Sequence, residues 1–331
     1  MIVSRTPFRI SLFGGGTDYP AWFHEHGGAV LGTTIDKYCY ISVRHLPPFF
    51  EHRHRIVYSK VELVREVAEV QHPAVRGVLS ELAVDEGLEI HHDADLPARS
   101  GLGSSSAFTV GLINALQAMR GRMVAKEELS REAIRIEQDV LKEAVGCQDQ
   151  IWASFGGLNR IDFKHDGSFS VTPIILKAER RDELCKSMML FFTGFSRFAS
   201  DFAQEQLNNI GNRTGQLLAM RQMVDRASEI LRDEKAPIRE LGELLDEGWR
   251  LKRELADNVS NSKIDEIYAA GLEAGAVGGK LLGAGGGGFI VFLVEPHKRS
   301  AVRDKLNRLI HVTFGFDSEG SKIVLYQPNG L

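Results

Sequence analysis

Residues 95–108 read DLPARSGLGSSSAF, a run of glycine and serine that leads directly into a helical pattern. Apolar residues then recur every three or four positions, as on one face of a helix, at Phe108, Leu112, Leu116 and Met119. Glycines let a ligand approach the backbone, and the unpaired N–H groups at a helix start attract anions. A loop of this composition can also be an ordinary capped turn, but a flexible linker would not continue into a regular helix.

The composition of the chain is that of a folded globular protein. Its 331 residues are enough for two ordinary domains, and 43% of them are hydrophobic while 25% are charged. The 40 lysines and arginines are outnumbered by 44 aspartates and glutamates, which gives a net charge of −4. We therefore expect neither nucleic acid nor a membrane as a partner, and any bound anion must be held by a local site.

The cysteines and the N-terminal segment both indicate a cytoplasmic protein. Cys39, Cys147 and Cys185 are odd in number and form no CxxC pair, which favours a reducing compartment over a disulfide framework or a zinc site. Arg5 and Arg9 interrupt the N-terminal segment, where a secretory signal needs an unbroken apolar stretch.

The hydrophobic periodicity predicts an α+β protein of two domains, divided at 1–180 and 181–331. Strands are predicted at 1–13, 29–45, 56–59, 88–91, 188–193, 291–293 and 322–326. Helices are predicted as two segments within 61–83 divided by Pro73, one starting in or just after the serine run, and others at 126–145, 197–232, 237–258 and 263–275. Residues 146–150 are expected to end the helix before them, and 152–163 to form a hairpin or a loop and strand.

A second glycine cluster matches GxGxxG at Gly283, Gly285 and Gly288. A dinucleotide-binding fingerprint needs a strand before it and a helix after it, whereas a predicted helix precedes this cluster and the apolar run Phe289 to Phe292 follows it. The cluster is therefore not a Rossmann motif, and either a tight bend or a close approach to a ligand explains it.

Four charged residues could take part in chemistry, although each has an ordinary structural explanation. Glu137 lies at the edge of the apolar stripe of its helix, where a carboxylate can face a cleft while the helix stays packed. Arg9 lies on a strand, and Asp18 and Asp149 lie in predicted turns. Without further information they are a solvated helix charge, a surface strand residue and two turn residues.

Three motifs in order resemble the GHMP kinases, a superfamily of small-molecule kinases. They are TPFRISLFGGGTDYP at 6–20, LPARSGLGSSSAF at 96–108 and KLLGAGGGGFIVF at 280–292. The resemblance implies an ATP-dependent kinase that also uses Mg²⁺. It further implies a ribosomal-protein-S5-like first domain and a ferredoxin-like second domain, with the active site between them.

The resemblance also implies roles for individual residues. Those expected to bind ATP are Pro97, Gly101, Leu102, Gly103, Ser104, Ser105, Ser106, Gly285, Gly286 and Gly287. Ser105 and Glu137 would bind Mg²⁺, although the glutamate of the family precedes its aspartate by about eleven residues and Glu137 precedes Asp149 by twelve. Asp149 would accept the proton of the attacking hydroxyl, and Arg9 would stabilise charge beside it.

For the acceptor, the chain resembles the sugar-1-kinases, a group that includes heptose 7-phosphate kinases and L-fucose kinases. The residues expected to contact the sugar are Gly15, Gly16, Thr17, Asp18 and Tyr19. A sugar phosphate would also need cations, and Arg44, Arg53 and Arg55 are the candidates, unless this basic segment is only a solvated loop. The acceptor is thus expected to be heptose 7-phosphate, or alternatively L-fucose or another sugar. A ligand-binding module without catalysis is disfavoured because Arg9, Ser105 and Asp149 are all retained.

Overall fold

The structure is a computed structural model that describes residues 1–194, 211, 213–256 and 259–328. Its strands are β1 (Ile2–Phe13), β2 (Gly28–His45), β3 (His54–Val57), β4 (Val61–Val64), β5 (Leu88–Ala94), β6 (Leu158–Phe163), β7 (Phe169–Pro173), β8 (Met188–Phe192), β9 (Ala276–Leu281), β10 (Phe289–Val294), β11 (Ile310–Val312) and β12 (Lys322–Tyr326). They form an eight-stranded and a four-stranded sheet, so the expected α+β architecture is confirmed.

Ten α-helices connect the strands in the described part of the chain. They are α1 (Pro20–His26), α2 (Pro73–Glu81), α3 (Ser104–Met119), α4 (Lys126–Arg135), α5 (Gln148–Phe155), α6 (Ala178–Ser187), α7 (Thr214–Arg232), α8 (Ile238–Arg253), α9 (Ser262–Glu273) and α10 (Arg299–Lys305). A π turn at Ile136–Val140 follows α4 directly. No helix within the described ranges is long and apolar enough to span a membrane.

The first sheet is organised around the long strand β2. Its strand order is β12-β1-β2-β5-β3-β4, and β6 and β7 extend it from the first half of β2. Helix α3 packs against β1 and β2. This packing brings the start of α3 beside Arg9, whose backbone N–H donates to the Leu102 carbonyl at 3.0 Å. The serine-rich segment is thus attached to the middle of the sheet.

The second sheet has the strand order β11-β8-β10-β9 and is antiparallel throughout. Numbered within this domain the order is 4-1-3-2, which is that of a ferredoxin-like sheet. The connectivity is β-α-β-β-α-β, with the helices α7, α8 and α9 in the first connection and α10 in the second. Every residue of β10 is buried, since this strand lies inside the sheet and is covered on both faces. Its sequence FIVFLV accordingly shows a continuous apolar run instead of an alternation.

The two domains do not divide cleanly at residue 180. That position lies inside α6, which packs against β8 and α8 of the second domain. The last strand β12 returns to the first sheet and pairs with β1, with Ile2 opposite Tyr326. The C-terminal residues that the sequence analysis assigned to the second domain therefore complete the first.

Three secondary-structure predictions were wrong. Residues 148–155 form the helix α5 instead of the predicted turn and loop. The apolar spacing of 61–72 suggested a helix, but residues 61–64 form β4, which pairs with β3, and a 3₁₀ turn follows. The helix predicted to continue to Val145 is α-helical only to Arg135 and ends after the π turn, and Lys142 has a φ of +56°. The prediction for 197–210 lies outside the described residues.

The two domains meet where the two glycine-rich segments touch. The Phe289 N–H donates to the Ser100 carbonyl at 3.0 Å. A Cβ atom added to Gly288 would lie 2.2 Å from that carbonyl oxygen, and one added to Gly283 would lie 2.5 Å from the Gly101 Cα. Only glycine allows this distance between backbones, so the second glycine cluster is a close approach to the first.

We expect a Gly288→Ala substitution to destabilise the protein. The residue has a φ of +101°, which strains any side chain, and the new methyl group would also clash with the Ser100 carbonyl. Together these effects should lower the free energy of unfolding by at least about 2 kcal/mol in urea denaturation. Gly121→Ala is the control, because Gly121 has a φ of +71° with no atom within 4 Å. This control should lower the free energy of unfolding by only about 1 kcal/mol. An equal loss in both variants would show that the clash with Ser100 does not contribute.

Candidate active site

An ion pair between Arg9 and Asp149 lies at the centre of the candidate site. Arg9 extends from β1 and is only 5% exposed. Its Nε and Nη2 atoms each donate to one carboxylate oxygen of Asp149 at 2.7 Å, and Nη1 donates to the Gly101 carbonyl. The two residues predicted to be catalytic are thus in direct contact, and they also hold the glycine-serine segment.

Asp149 lies in the first turn of α5 and not in the turn that the sequence predicted. The apolar residues of 148–155 face inward from this helix, and Ile151 and Trp152 are fully buried. A helix N-terminus carries partial positive charge and unpaired N–H groups. Asp149 therefore receives stabilisation for its negative charge from α5 as well as from Arg9.

A second carboxylate, Asp18, lies beside the first. It follows β1 and is 1% exposed, and its oxygens accept from the backbone N–H groups of Gly16 at 2.9 Å and Gln148 at 3.4 Å. Burial raises the pKa of Asp18, and the negative charge of Asp149 raises it further. The same burial and the charges of both aspartates raise the pKa of Tyr19.

Thr17 does not have the role that the sequence suggested. It is fully buried, and its hydroxyl shares its single proton between the Gly14 and Ala29 carbonyls, at 2.8 and 2.9 Å, and accepts from the Ala29 N–H. These bonds use the hydroxyl to hold the loop after β1 against β2. The expected contact of Thr17 with a sugar is therefore wrong, whereas Asp18 and the half-buried Tyr19 stand beside Asp149.

The serine-rich segment opens directly onto the ion pair. Gly101 and Gly103 have φ angles of +84° and +73°, a conformation that favours glycine. A Cβ atom added to Gly103 would lie 3.2 Å from the Arg9 Cγ and 3.4 Å from an oxygen of Asp149. Helix α3 begins at the next residue, Ser104, so its first N–H groups lie beside the two charged side chains.

Glu137 is a fully buried carboxylate that contacts the first turns of α3 and α5. Its Oε2 accepts from the Ser106 hydroxyl at 2.9 Å and from the Gln150 amide, whereas Oε1 has no partner. Burial and the nearby charge of Glu143 raise the pKa of Glu137 to about 7. The expected serine, Ser105, is exposed and does not contact Glu137 in this structure.

Glu137 lies in a π turn, at the start of the twelve-residue interval that separates it from Asp149. In this turn the Leu141 N–H donates to the Ile136 carbonyl, five residues back, so the turn holds one residue more than an α-helical turn. The interval of twelve residues contains this one extra residue.

The oxygens around Glu137 fit a magnesium ion. Within the described residues there is no group of three histidine, cysteine or acidic side chains that could enclose a metal. Mg²⁺ in nucleotide-dependent enzymes usually takes one or two carboxylates together with phosphate oxygens of the substrate. The unpartnered oxygen of Glu137 and the hydroxyls at the start of α3 are such a donor set.

Two buried lysines were missed by the sequence analysis. Lys252 of α8 and Lys280 of β9 are 6% and 5% exposed, and each donates to a carbonyl, Lys252 to Gly283 and Lys280 to Leu12 at 3.0 Å. Burial lowers the pKa of Lys252 to about 8, and it lowers the pKa of Lys280 well below its usual value. A signal was present for Lys252, since it lies seven residues after Leu245 on the apolar stripe of α8.

The arginines expected to bind the phosphate of an acceptor are too far from the ion pair. Arg44 and Arg55 both pair with Glu89, and Arg53 donates to the Asp85 carbonyl. Arg44 follows Val43, which lies opposite Ile2, whereas Arg9 is seven residues farther along β1. Seven residues of a strand span roughly 23 Å, which is longer than a heptose phosphate. The assignment of these arginines to the acceptor is therefore wrong.

Comparison with known families agrees with the order of the motifs. The family model described as GHMP kinases N terminal domain matches residues 62–157, and the one described as GHMP kinases C terminal matches residues 234–311. Together the two matches cover just over half of the chain.

Individual relatives are similar over nearly the whole chain. The D-glycero-alpha-D-manno-heptose 7-phosphate kinase of Campylobacter jejuni is 28% identical, over 97% of this chain and 98% of its own length. The crystal structure of a D-glycero-D-manno-heptose 1-phosphate kinase from Bacteroides thetaiotaomicron has a TM-score of 0.77 and 27% identity, and the match covers 97% of this chain and 98% of that one. The bifunctional fucokinase/GDP-fucose pyrophosphorylase of Arabidopsis thaliana is 26% identical over 91% of this chain but only 30% of its own length.

We expect the serines at the start of α3 to differ in their effect on stability. Ser106→Ala removes a buried hydrogen bond to Glu137, so it should lower the free energy of unfolding by about 1–3 kcal/mol. Ser105→Ala changes an exposed side chain and should stay within about 0.5 kcal/mol of the wild type. Urea denaturation of both variants without nucleotide or metal measures the difference. Equal stabilities would show that Ser106 does not support Glu137.

Proposed function

The chain belongs to the GHMP kinase family, and from this premise we propose that it phosphorylates the anomeric hydroxyl of D-glycero-D-manno-heptose 7-phosphate with ATP to give the 1,7-bisphosphate. It is a phosphotransferase of the sugar kinase type. The observation that carries the proposal is the Arg9–Asp149 ion pair, which faces Gly103 at the start of α3.

Asp149 is the proposed base. The anomeric oxygen of the sugar forms a bond to the γ-phosphorus of ATP while the bond between that phosphorus and the β,γ-bridging oxygen breaks. ADP leaves with the electron pair of the broken bond, and the proton of the sugar hydroxyl passes to Asp149. Arg9 orients this carboxylate, since two of its nitrogens each donate to one of the oxygens.

The glycine-serine segment is the proposed site of the ATP phosphates. Gly101 and Gly103 let the phosphates approach the backbone, and the first N–H groups of α3 point toward them. Glu137 and Ser105 or Ser106 would hold Mg²⁺, which would neutralise charge on the phosphate oxygens. The glycines at 285–287 belong to a loop that packs on this segment, and they are proposed to enclose the nucleotide from the second domain.

The sugar is proposed to bind in the loop after β1. Gly15, Gly16, Asp18 and Tyr19 belong to this loop, and the negative charge of Asp149 acts on both Asp18 and Tyr19. The oxygens of Asp18 are suited to accept hydrogen bonds from sugar hydroxyls. The heptose assignment is supported by the two relatives named for heptose phosphates. The similarity to a fucokinase makes L-fucose the second candidate.

A panel of acceptors tests this assignment. ATP consumption should be fastest with D-glycero-D-manno-heptose 7-phosphate, measured against heptose without phosphate, L-fucose and galactose. Turnover of L-fucose without turnover of the heptose phosphate would reject the heptose assignment and keep the sugar kinase. Arg55→Ala is a useful control, because its pairing with Glu89 far from the site predicts an unchanged KM for the acceptor.

Asp149→Asn should lower kcat by 10²-fold or more, since an amide cannot accept the proton. ATP should still bind with a KM within about threefold of the wild type, because the phosphate segment is retained. Asp166→Asn is the matched control, as Asp166 is an exposed carboxylate in the turn between β6 and β7. A turnover close to the wild-type rate in Asp149→Asn would remove the proposed base.

A further inference from the structure

The charge of Arg9 is already matched within the site. Its three side-chain nitrogens all donate hydrogen bonds, two to Asp149 and one to the Gly101 carbonyl. A bidentate pair of this kind fixes the guanidinium and balances its charge. All of the side-chain nitrogens of Arg9 therefore have a partner already, and none is left for the charge that spreads over the oxygens of the phosphoryl group during transfer. A further cation beside Mg²⁺ would stabilise that charge.

Lys252 is placed next to the phosphate segment. Its ammonium donates to the carbonyl of Gly283. Gly283 lies against Gly101, since a Cβ atom added to Gly283 would be only 2.5 Å from the Gly101 Cα. The carbonyl of Gly101 in turn accepts from Arg9. A continuous series of contacts thus joins Lys252 of the second domain to the ion pair of the first.

In the described part of the chain, the two ammonium groups beside this series have no carboxylate partner of their own. Arg9 is paired with Asp149, whereas Asp18 is the negative charge that acts on the pKa values of both Lys252 and Lys280. No carboxylate oxygen of the described residues lies within 4 Å of either ammonium. A buried cation is unfavourable unless a counter-charge is close. The two ammonium groups, each with one carbonyl partner, therefore keep donors that an anion could accept from.

The two lysines differ in what they contact. Lys280 donates to the Leu12 carbonyl in β1, so it joins the two domains. The charges of Arg9, Asp18 and Asp149 all shift the pKa of Lys252, and these three residues surround the site of the proposed transfer. An ammonium with a single carbonyl partner also has two further N–H groups that can donate.

We propose that Lys252 binds the phosphoryl group while it passes from ATP to the acceptor. This proposal rests on the proposed phosphoryl transfer but not on the identity of the sugar. Because the charge of Arg9 is paired with Asp149, Lys252 of the second domain supplies the positive charge for the phosphoryl group. The hydrogen bond to Gly283 positions the ammonium over the phosphate segment once the two domains are together.

The ionisation of Lys252 gives the proposal a measurable signature. Burial and the charge of Arg9 lower the pKa of Lys252, whereas Asp18 and Asp149 raise it, and the result is about 8. Above this pH the free enzyme loses the ammonium charge, so kcat/KM should fall on the alkaline side. An arginine in its place stays charged, and Lys252→Arg should move this decline to higher pH.

The experiment compares Lys252→Met and Lys252→Arg with the wild type, using the acceptor that the panel identifies. Lys252→Met should lower kcat by about 10²-fold or more, with the KM for ATP within about threefold. Lys252→Arg should recover at least about a tenth of the wild-type kcat. Lys126→Met is the matched control, since Lys126 also donates to backbone carbonyls, those of Phe155 and Glu319, outside the site.

Three results would overturn the proposal. If Lys252→Met raises the KM for a phosphorylated acceptor and leaves kcat unchanged, Lys252 binds the phosphate of the acceptor instead of the transferred phosphoryl group. A loss of kcat in Lys252→Met that Lys252→Arg does not relieve, together with an equal loss of stability in both variants, would make Lys252 a structural contact. If kcat/KM declines at the same alkaline pH in Lys252→Arg as in the wild type, the ionisation belongs to another group.

Failure of the sugar assignment is distinguishable from failure of this proposal. If no sugar of the panel is phosphorylated, the slow transfer of the phosphoryl group from ATP to water still requires the same charge. A lower rate of this hydrolysis in Lys252→Met then supports the proposal, and an unchanged rate overturns it, whereas the panel alone decides the acceptor.

Discussion

The bidentate ion pair of Arg9 and Asp149 is the interaction on which the candidate site depends. Arg9 comes from the centre of the first sheet, Asp149 from the start of α5, and the third nitrogen of Arg9 holds the Gly101 carbonyl. One buried guanidinium thereby fixes the relative position of a strand, a helix and the glycine-serine segment. Because a guanidinium is planar and its donors are fixed, a lysine could not hold all three in the same way.

The second constraint is that the two domains meet through backbone atoms. Glycines at 101, 283 and 288 leave no room for side chains between the two loops. The second domain can therefore bring its own charges, on Lys252 and Lys280, into a site that the first domain builds. The strand β12 strengthens the same association, since it returns from the second domain to pair with β1.

The sequence predicted those features that depend on local order along the chain. The strands of 1–13 and 29–45 and the helix after the serine run agree with the structure. The contact of Arg9 with Asp149 is implied by the family resemblance alone, and the structure contains it as an ion pair. The predictions that failed required knowledge of pairing between distant segments. Residues 61–64 became a strand because β3 offered it hydrogen-bond partners, and Arg44 lies far from the site because of the register between β1 and β2. Lys252 was missed because periodicity describes a face of a helix and not what covers that face.

The buried charges of the site also explain why this region is not optimised for stability. Asp18, Glu137, Lys252 and Lys280 all have pKa values shifted toward the neutral form, and in each case burial is the largest cause. A folded protein gains nothing in stability from such groups, because apolar side chains of similar size would pack without the loss of hydration. Their joint presence between two domains is explained by a ligand that brings several charges of its own, as ATP and a metal ion would. The charges that are unfavourable in the free protein then become the contacts that bind and orient the reactants.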